Sequence, residues 1–434
     1  MQQPLNSLIR QILDCPDAQL IANKATVDQL VEQLCSITGI CLHPNLFLDE
    51  HATLTTQGKA VSMTTAAQCA EEYMRTQVFL RGVYQAIQAQ LVVHDEIEIL
   101  YAGTGPFGLL LVPLLPLFSP TQVKVTLLDI HSESLTALNR VIQAFGVQER
   151  ITRIECVDIL QWRPEAEQRY QLIISETMKA MLRQEPQISI FSHLSPWLAR
   201  DGQLIPQQIQ IDAWLEIANT EPRKVGNIFT LNKQTSLILN QQTPADINAS
   251  LKIPAWQAER ANLKFTTTIQ VYADHWLHEK QCSLNLPEYI RDANPQPGSQ
   301  LRCHYNFGGQ PGFEFEFKPL PGAAGNPLPS LMDTDMLGAP HLNRLWYKAQ
   351  HTKQGKLAAE IRKREWPLDL QLLDILNLDL ETALQTLFHH PGPEAFVSLI
   401  LENNQGEISP AQRSAIERCV SDYLRRARHT GDPH

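Results

Sequence analysis

Two glutamates in the middle of the chain have the spacing to act together. Glu176 and Glu185 lie nine residues apart in ETMKAMLRQEP, directly after the apolar run RYQLIIS. That run predicts a strand of a parallel sheet, and ligands bind at the carboxyl ends of such strands. Two carboxylates at this edge match a guanidinium, which is planar and has five N–H donors in a fixed fork. We therefore predict that both glutamates bind a guanidino or amino nitrogen and orient it for attack on a methyl group.

A glycine-rich turn earlier in the chain predicts a nucleoside site. Gly103, Gly105 and Gly108 form G-x-G-x-x-G directly after the strand-like run EIEILYA, where missing side chains let a ligand meet the backbone. Asp129 ends the next strand-like run, VTLLDI, 21 residues after Gly108, where it can accept hydrogen bonds from a ribose diol. A dinucleotide and S-adenosylmethionine both contain this ribose. Pro106 favours S-adenosylmethionine, because it removes a backbone N–H that would bind a pyrophosphate.

A further acidic residue, Asp158, lies within the run ECVDIL. We expect it at the same sheet edge, facing the adenine amino group. The alternative is a turn residue that only ends a strand.

A parallel sheet must position these residues. Between Glu96 and Pro206 short apolar runs alternate with helical segments, the order expected of a parallel sheet with crossover helices. From residue 207 to about 318 the pattern changes to period-two runs rich in Thr, Ile, Val and Phe, which predicts antiparallel strands. The predicted fold class is therefore α/β, with a Rossmann-like domain followed by an antiparallel β domain.

Helical patterns flank these two units. The spacing of apolar residues over 1–65 predicts short helices, and a longer helix is expected from Thr64 to Leu91. A Pro/Gly linker is expected over residues 319–330. The predicted domains are an N-terminal helical segment (1–65), a cofactor-binding domain (66–206), a β domain (207–325) and a C-terminal helical region (326–434).

Composition excludes several classes of partner. A formal charge of -10 disfavours nucleic acid and anionic lipid. Residues 99–118 carry no charge and are long enough to cross a bilayer, but their three glycines and three prolines favour a buried strand and turn. The eight cysteines show no metal-ligand or disulfide spacing, and the N-terminal residues lack a signal-peptide pattern. We expect no metal, no membrane span and a cytoplasmic location.

The same segments resemble a known family. YAGTGPFG, the strand end at Asp129, Val157-Asp158, SETMKAMLRQE and LSPWLARDGQLIP are similar to the motifs of the protein arginine methyltransferases, which are class I S-adenosylmethionine-dependent enzymes. The chain is identified as a divergent, bacterial-type member. The resemblance implies a double-glutamate loop, a β barrel after the Rossmann-like methyltransferase domain and a homodimer, for which residues 219–262 could supply the arm.

The resemblance also implies roles for single residues. Arg75, in EEYMRTQVF, would pair with the carboxylate of the cofactor's methionine part, and Glu176 and Glu185 would bind the substrate guanidinium. The full set implied for S-adenosylmethionine is Arg75, Gly103, Thr104, Gly105, Asp129, Val157 and Asp158.

The chain departs from the family pattern in three places. Asp129 stands where related enzymes usually have Glu, and ETMKAM lacks the usual Trp and Gly-Tyr. The family's Thr-His-Trp loop has no secure counterpart. His275, in the only His-Trp pair of the β region, is a candidate for that catalytic histidine, and the alternative is a half-buried strand residue.

The leading hypothesis is an S-adenosylmethionine-dependent N-methyltransferase whose acceptor is a small guanidino or amino molecule, such as arginine or a derivative. The alternative within the family is a protein arginine N-methyltransferase. Hypotheses of other classes are an NAD-dependent oxidoreductase and a non-catalytic cofactor-binding module. The small acceptor is favoured because helical segments at both ends have apolar faces that need a surface, and they could cover Glu176 and Glu185. The alternative is that these segments form a dimer interface away from the site.

Overall fold

A computed structural model describes most of the chain and defines the elements below. Part of the C-terminal region and the predicted linker at 319–330 lie outside the described residues. The described residues are 4–42, 52–217, 220–242, 246–256, 261–289, 295, 297–318, 367–379, 382–383, 399–405, 408–412, 414–416 and 418–419.

The N-terminal part forms helices and one small hairpin. Its elements are α1 (Leu5–Asp14), α2 (Lys24–Thr38), the hairpin strands β1 (Thr53–Thr55) and β2 (Gly58–Ala60), α3 (Met63–Gln68) and α4 (Tyr73–Leu91). The apolar faces of α1 and α2 are buried through residues such as Leu8, Ile12 and Leu30. Both helices pack against each other and against α4. The hairpin was not predicted, because a pair of three-residue strands leaves no clear alternation in the sequence.

The predicted single helix from Thr64 to Leu91 is wrong. A 3-10 turn at Cys69–Glu71 separates α3 from α4, and Glu72 leaves helical geometry with φ -75° and ψ 81°. The hydroxyl of Thr76 donates to the carbonyl of Ala70 at 3.0 Å, which satisfies a buried acceptor at the break. The break allows the Glu72 side chain to turn back towards the first turn of α4.

The next segment forms a five-stranded sheet whose pairings are all parallel. The elements are β3 (Ile97–Ala102), β4 (Val123–Asp129), α5 (Ser132–Phe145), β5 (Ile151–Cys156), β6 (Tyr170–Ile174), α6 (Gln187–Leu194) and β7 (Leu198–Ile205). The strands follow the order β5-β4-β3-β6-β7, which confirms the predicted Rossmann-like part of the α/β fold.

The segment that imitates a membrane span lies inside this domain. Residues 99–118 comprise most of β3, the glycine turn and a 3-10 helix at Val112–Leu117. Within the described part of the chain, no helix combines the length and apolar character that a bilayer crossing requires.

Antiparallel strands follow, as the period-two pattern predicts. The elements are β8 (Gln208–Ile217), β9 (Arg223–Asn232), α7 (Lys233–Gln241), β10 (Asn248–Lys252), β11 (Ala261–Tyr272), β12 (His275–Leu277), β13 (Glu288–Tyr289), β14 (Gln300–Asn306) and β15 (Gly312–Lys318). The strands form one sheet in the order β12-β11-β8-β9, with β13 paired to β11, and a second sheet in the order β10-β14-β15. Further along, α8 spans Pro367–Ile375. The described part of 219–262 therefore contributes mainly to this β domain.

The two domains share one hydrophobic core, which extends from α1 to β14. Gly82 of α4 lies at their contact: a Cβ there would stand 2.6 Å from Cγ1 of Val271 in β11 and 3.4 Å from Cβ of His275. The glycine therefore allows α4 to approach the β sheet more closely than a residue with a side chain would permit.

This contact predicts that Gly82→Ala lowers the free energy of unfolding. Alanine favours a helix interior by about 1 kcal/mol over glycine, but overpacking a dense core costs about 1–3 kcal/mol. Urea unfolding should show a net loss in Gly82→Ala and partial recovery when Val271→Ala is added. Gln85→Ala, at an exposed position of the same helix, should change stability by less than about 0.5 kcal/mol. A Gly82→Ala protein as stable as the parent would contradict the packing argument.

Candidate functional site

A cavity of about 470 Å³ lies at the carboxyl edge of the parallel sheet, within the size range of small-molecule sites. It is lined by the segments that follow β3, β4, β5 and β6, by residues between 55 and 76, and by residues 283–288. Eight of the nine sequence-predicted site residues line it: Arg75, Gly103, Thr104, Gly105, Asp129, Asp158, Glu176 and Glu185.

Sheet topology explains why these residues meet. The chain goes from β3 to β4 and β5 on one side, then returns to place β6 on the other side of β3. The loops after β3 and β6 therefore leave neighbouring strands in opposite directions, and a crevice opens between them. The glycine turn and the double-glutamate loop form the two sides of this crevice.

The glycines of the turn are required by the backbone and by their neighbours. Gly103 has φ 79° and Gly105 φ 58°, in the left-handed region that favours glycine. A Cβ on Gly103 would stand 2.6 Å from Cγ2 of Thr177 in the double-glutamate loop. A Cβ on Gly108 would stand 2.6 Å from side-chain atoms of Val112 and Leu138. Gly103 therefore lets the two loops approach each other, and Gly108 allows close packing behind the turn.

Asp129 holds the glycine turn in place. Its Oδ2 accepts from the Gly105 N–H at 2.8 Å and from the Thr104 hydroxyl at 3.4 Å, and its Oδ1 accepts from the His131 N–H at 2.9 Å. Burial raises the pKa of Asp129, and the hydrogen bonds from His131 and Gly105 oppose that rise. Each carboxylate oxygen has more than one acceptor position, so this arrangement leaves room for a ligand donor.

The residues after β5 take two different positions. Asp158 lines the cavity, and its Oδ1 accepts from the Leu160 N–H at 3.0 Å. Val157 does not line the cavity; its side chain packs on the core and its N–H donates to the Asp129 carbonyl at 2.8 Å. Val157 thus aligns the strand end, and Asp158 faces the cavity.

The double-glutamate loop has an unusual backbone. Met181, Leu182 and Gln184 have φ values of 61°, 54° and 67°, and left-handed non-glycine residues cost of order 1–3 kcal/mol each. Gln187, at the start of α6, closes the loop: its Oε1 accepts from the Thr177 N–H at 2.8 Å. Such a conformation persists only where the surroundings hold it.

The β domain supplies that support. The Met181 N–H donates to Oγ1 of Thr267 at 2.8 Å, and the Tyr305 hydroxyl donates to the Leu182 carbonyl at 2.5 Å. The Gln184 N–H donates to the carbonyl of Pro311 at 2.6 Å. The shape of the loop that carries both glutamates is therefore set by residues 80 or more positions later in the chain.

A buried ion-pair cluster lies at the centre of the cavity wall. Arg75 contacts Glu72 at 3.2 Å and forms a closer hydrogen-bonded pair with Oε2 of Glu176. The Arg75 and Glu176 side chains are 8% and 7% exposed. Burial raises the pKa of Glu176, and Arg75 opposes that rise. The resemblance assigns Arg75 to the cofactor and Glu176 to the substrate, whereas in this structure they contact each other.

The other oxygen of Glu176 is unusual. Oε1 is buried and makes no hydrogen bond, although a buried carboxylate oxygen without a donor is costly. Glu176 lines the cavity, and so does Glu185, which is 7% exposed. An N–H donor of a ligand would satisfy Oε1.

The cavity is also lined by Cys69, one of the eight cysteines whose spacing indicates neither a metal site nor a disulfide. Burial raises the pKa of Cys69 to about 12 and raises the pKa of the neighbouring Cys282 well above its usual value. Both side chains are therefore neutral thiols at physiological pH, which disfavours thiolate chemistry at this site. The described residues contain no group of three or more His, Cys, Asp or Glu side chains arranged to hold a metal ion.

His275 lies elsewhere. It begins β12, packs near Gly82 of α4 and is not among the residues that line the cavity. Burial and the nearby Arg81 lower its pKa. From the β domain the cavity receives Ser283, Leu284, Leu286 and Glu288, which sequence reasoning missed because SLNLPEY contains no motif.

The predicted cover over Glu176 and Glu185 takes a different form. Helices α1 and α2 pack their apolar faces on α4. The N-terminal residues that reach the double-glutamate loop belong to the hairpin: the Lys59 N–H donates to the Gln184 carbonyl at 2.7 Å. Thr55, Lys59 and residues of α3 line the cavity.

The chain is similar to some solved structures at low sequence identity. No protein-family model matches the chain, and no curated protein matches it. Among solved structures, the chain is similar to the Trypanosoma brucei PRMT1 enzyme–prozyme heterotetrameric complex with AdoHcy, at TM-score 0.42 and 11% identity over 61% of this chain and 96% of the other. It is also similar to the open conformation of Arabidopsis thaliana protein arginine methyltransferase 10, at TM-score 0.42 and 12% identity over 62% and 97%. Both belong to the family that the sequence motifs resemble.

The ion-pair cluster predicts a pH-dependent loss of stability in Arg75→Met. Without Arg75, two buried carboxyls lack their cation, and breaking a buried pair in this way costs about 3–5 kcal/mol. The pKa of Glu176 in the folded variant would rise further above its unfolded value. The variant would then lose stability as pH rises through the interval between these two pKa values. Urea unfolding should therefore show a larger deficit at pH 8 than at pH 5.

Arg81→Met provides the matched control. Arg81 lies on the same helix and pairs at 2.6 Å with Asp17, whose side chain is 81% exposed. Its loss should cost less than about 1 kcal/mol. A deficit in Arg75→Met that is equally small, or that does not change with pH, would contradict the buried-pair argument.

Proposed function

We propose that this chain is an S-adenosylmethionine-dependent N-methyltransferase of the arginine methyltransferase type. Its acceptor is a guanidino or amino nitrogen of a small molecule such as arginine or a derivative. Residues 66–206 form the cofactor-binding domain and residues 207–325 the β domain that shapes the acceptor site. The observation that carries the proposal is the state of Glu176, which holds the guanidinium of Arg75 on one oxygen and has a second, buried oxygen without a donor.

The cavity fits the adenosyl cofactor at its glycine-turn side. Gly103 and Gly105 present backbone without side chains, and Asp129 has acceptor positions for a ribose diol. His131 also lines the cavity, and its Nε2 is buried without a hydrogen bond, so a polar ligand atom would satisfy it. When bound, S-adenosylmethionine would supply an electrophilic methyl group. Pro106 at the turn removes an N–H donor, which disfavours the pyrophosphate of NAD.

The acceptor side is acidic and shielded from water. Glu176 and Glu185 would accept N–H donors of the acceptor and hold it in one orientation, which is how a site without a covalent nucleophile accelerates transfer. Their charge would also stabilise positive charge on the nitrogens that do not react. The strained loop fixes both carboxylates before the acceptor arrives, because its hydrogen bonds to Thr267 and Tyr305 already exist.

The position of the β1–β2 hairpin beside the double-glutamate loop supports a small acceptor. The hairpin of β1 and β2 contacts the double-glutamate loop, and its residues line the same cavity. An extended peptide needs an open groove with hydrogen-bonding edges along its length.

A homodimer and a cytoplasmic location remain part of the proposal.

The cofactor part predicts binding of S-adenosylhomocysteine with micromolar or tighter affinity, about -8 kcal/mol. Asp129→Ala should weaken binding by roughly 1.5–3 kcal/mol, because the ribose loses a charged acceptor and the glycine turn loses its support. Isothermal titration calorimetry measures both values. Binding of NAD without binding of the sulfur nucleoside would contradict the proposed activity.

The acceptor part predicts that Glu176→Gln and Glu185→Gln lower methyl transfer by about 10²-fold or more, since each removes charge where the nitrogen reacts. Cofactor affinity should change little in Glu185→Gln. Transfer is measured by mass with arginine, small guanidines and arginine-rich peptides as acceptors. Glu314→Gln, at an exposed position of β15, is the control and should keep full activity.

Two outcomes would overturn parts of this proposal. Full activity in either glutamine variant would exclude the carboxylate clamp. Micromolar turnover of an arginine-rich peptide, with none of arginine or small guanidines, would replace the small acceptor with a protein.

A further inference from the structure

Charges along the cavity wall are unevenly distributed. Glu72 and Glu176 line the cavity with Arg75 as their cation. Three further cationic side chains, Lys59, Lys179 and Arg183, line the same cavity together with Glu185 and Glu288.

Two of these residues contact Gln184, one through its backbone and one through its side chain. The backbone N–H of Lys59 donates to the Gln184 carbonyl at 2.7 Å, and Nζ of Lys179 donates to the Gln184 Oε1 at 2.8 Å. Arg183 precedes Gln184 in the chain. We call Lys59, Lys179 and Arg183 the basic edge. The basic edge adjoins the acidic clamp, since Glu185 follows Gln184 directly.

Arg183 has unused capacity to bind an anion. Its guanidinium contacts Glu288 at 2.6 Å through one terminal nitrogen, while its Nε is shielded from solvent and has no hydrogen-bond partner. A guanidinium can bind two oxygens of one carboxylate through parallel N–H donors. Nε of Arg183 is therefore a donor that a ligand carboxylate could use.

We propose that the acceptor is a small zwitterion: a guanidino or amino acid whose cationic end binds Glu176 and Glu185 and whose carboxylate binds the basic edge. This inference rests on the proposed function and narrows its substrate class. Opposite charges at two ends of one molecule would fix its direction in the cavity, because the reversed pose would place like charges together. An arginine inside a peptide has no carboxylate of its own at that position, so the basic edge also selects against polypeptides.

Arginine and agmatine test the zwitterion assignment directly. They share a guanidinium and a carbon chain, and agmatine lacks the carboxylate. With S-adenosylhomocysteine saturating the protein, calorimetry should show arginine binding about tenfold or more tightly than agmatine, as expected for a charge-assisted pair. The ratio of kcat/KM for methyl transfer should show the same preference.

Two variants locate the carboxylate site. Arg183→Met and Lys59→Met should each reduce the preference for arginine over agmatine several-fold and leave agmatine binding nearly unchanged. Arg183→Lys should recover part of the preference. Arg302→Met is the matched control, because Arg302 also pairs with a glutamate, Glu316, at 3.8 Å, and does not line the cavity.

The outcomes separate this inference from the proposed function. Agmatine bound or methylated as well as arginine would overturn the zwitterion assignment. The assignment would also be overturned if Arg183→Met or Lys59→Met weakened the binding of S-adenosylhomocysteine and not the binding of arginine. The basic edge would then bind the cofactor. Binding of neither arginine nor agmatine to the cofactor-loaded protein would also contradict the inference. Failure to bind S-adenosylhomocysteine at all would instead contradict the proposed function.

Discussion

The buried pair of Arg75 and Glu176 is the constraint on which the site depends. It joins α4 to the loop after β6, positions 101 residues apart in the sequence. A buried charge is tolerated only with a partner, so both elements must meet in one geometry. Glu72, at the break before α4, supplies a second carboxylate to Arg75. The pair's value is more in positioning than in stability, since ion pairs in low dielectric lose much of their attraction to desolvation.

The β domain supports the parallel-sheet domain at its carboxyl edge. Three residues of the double-glutamate loop have left-handed backbone, and the β domain holds all three through Thr267, Tyr305 and Pro311. Gly82 lets α4 approach β11, which brings the β domain close enough to contact the double-glutamate loop. The two domains share one core, so the loop is shaped by tertiary contacts that neither domain could provide alone.

Several predicted site residues have a structural role besides the ligand role assigned to them. Asp129 holds the glycine turn through the N–H of Gly105, and Gly103 gives space to Thr177. Val157 aligns the strand end through its backbone and does not line the cavity. A substitution at these positions therefore alters the loop and the ligand site together, and measurements of binding and of stability are both needed to separate the two effects.

The sequence by itself determined the parallel sheet, the antiparallel strands and the positions of the glycine turn and both glutamates. These follow from local patterns: apolar runs, period-two alternation and the motif spacing around Gly103 and Glu176. Only the tertiary structure decided that Arg75 contacts Glu176, that His275 lies against α4, and that a short hairpin and residues 283–288 complete the cavity wall. Those features depend on contacts between distant segments, and such contacts leave no periodicity or motif in the chain because burial and pairing are set by the assembled fold.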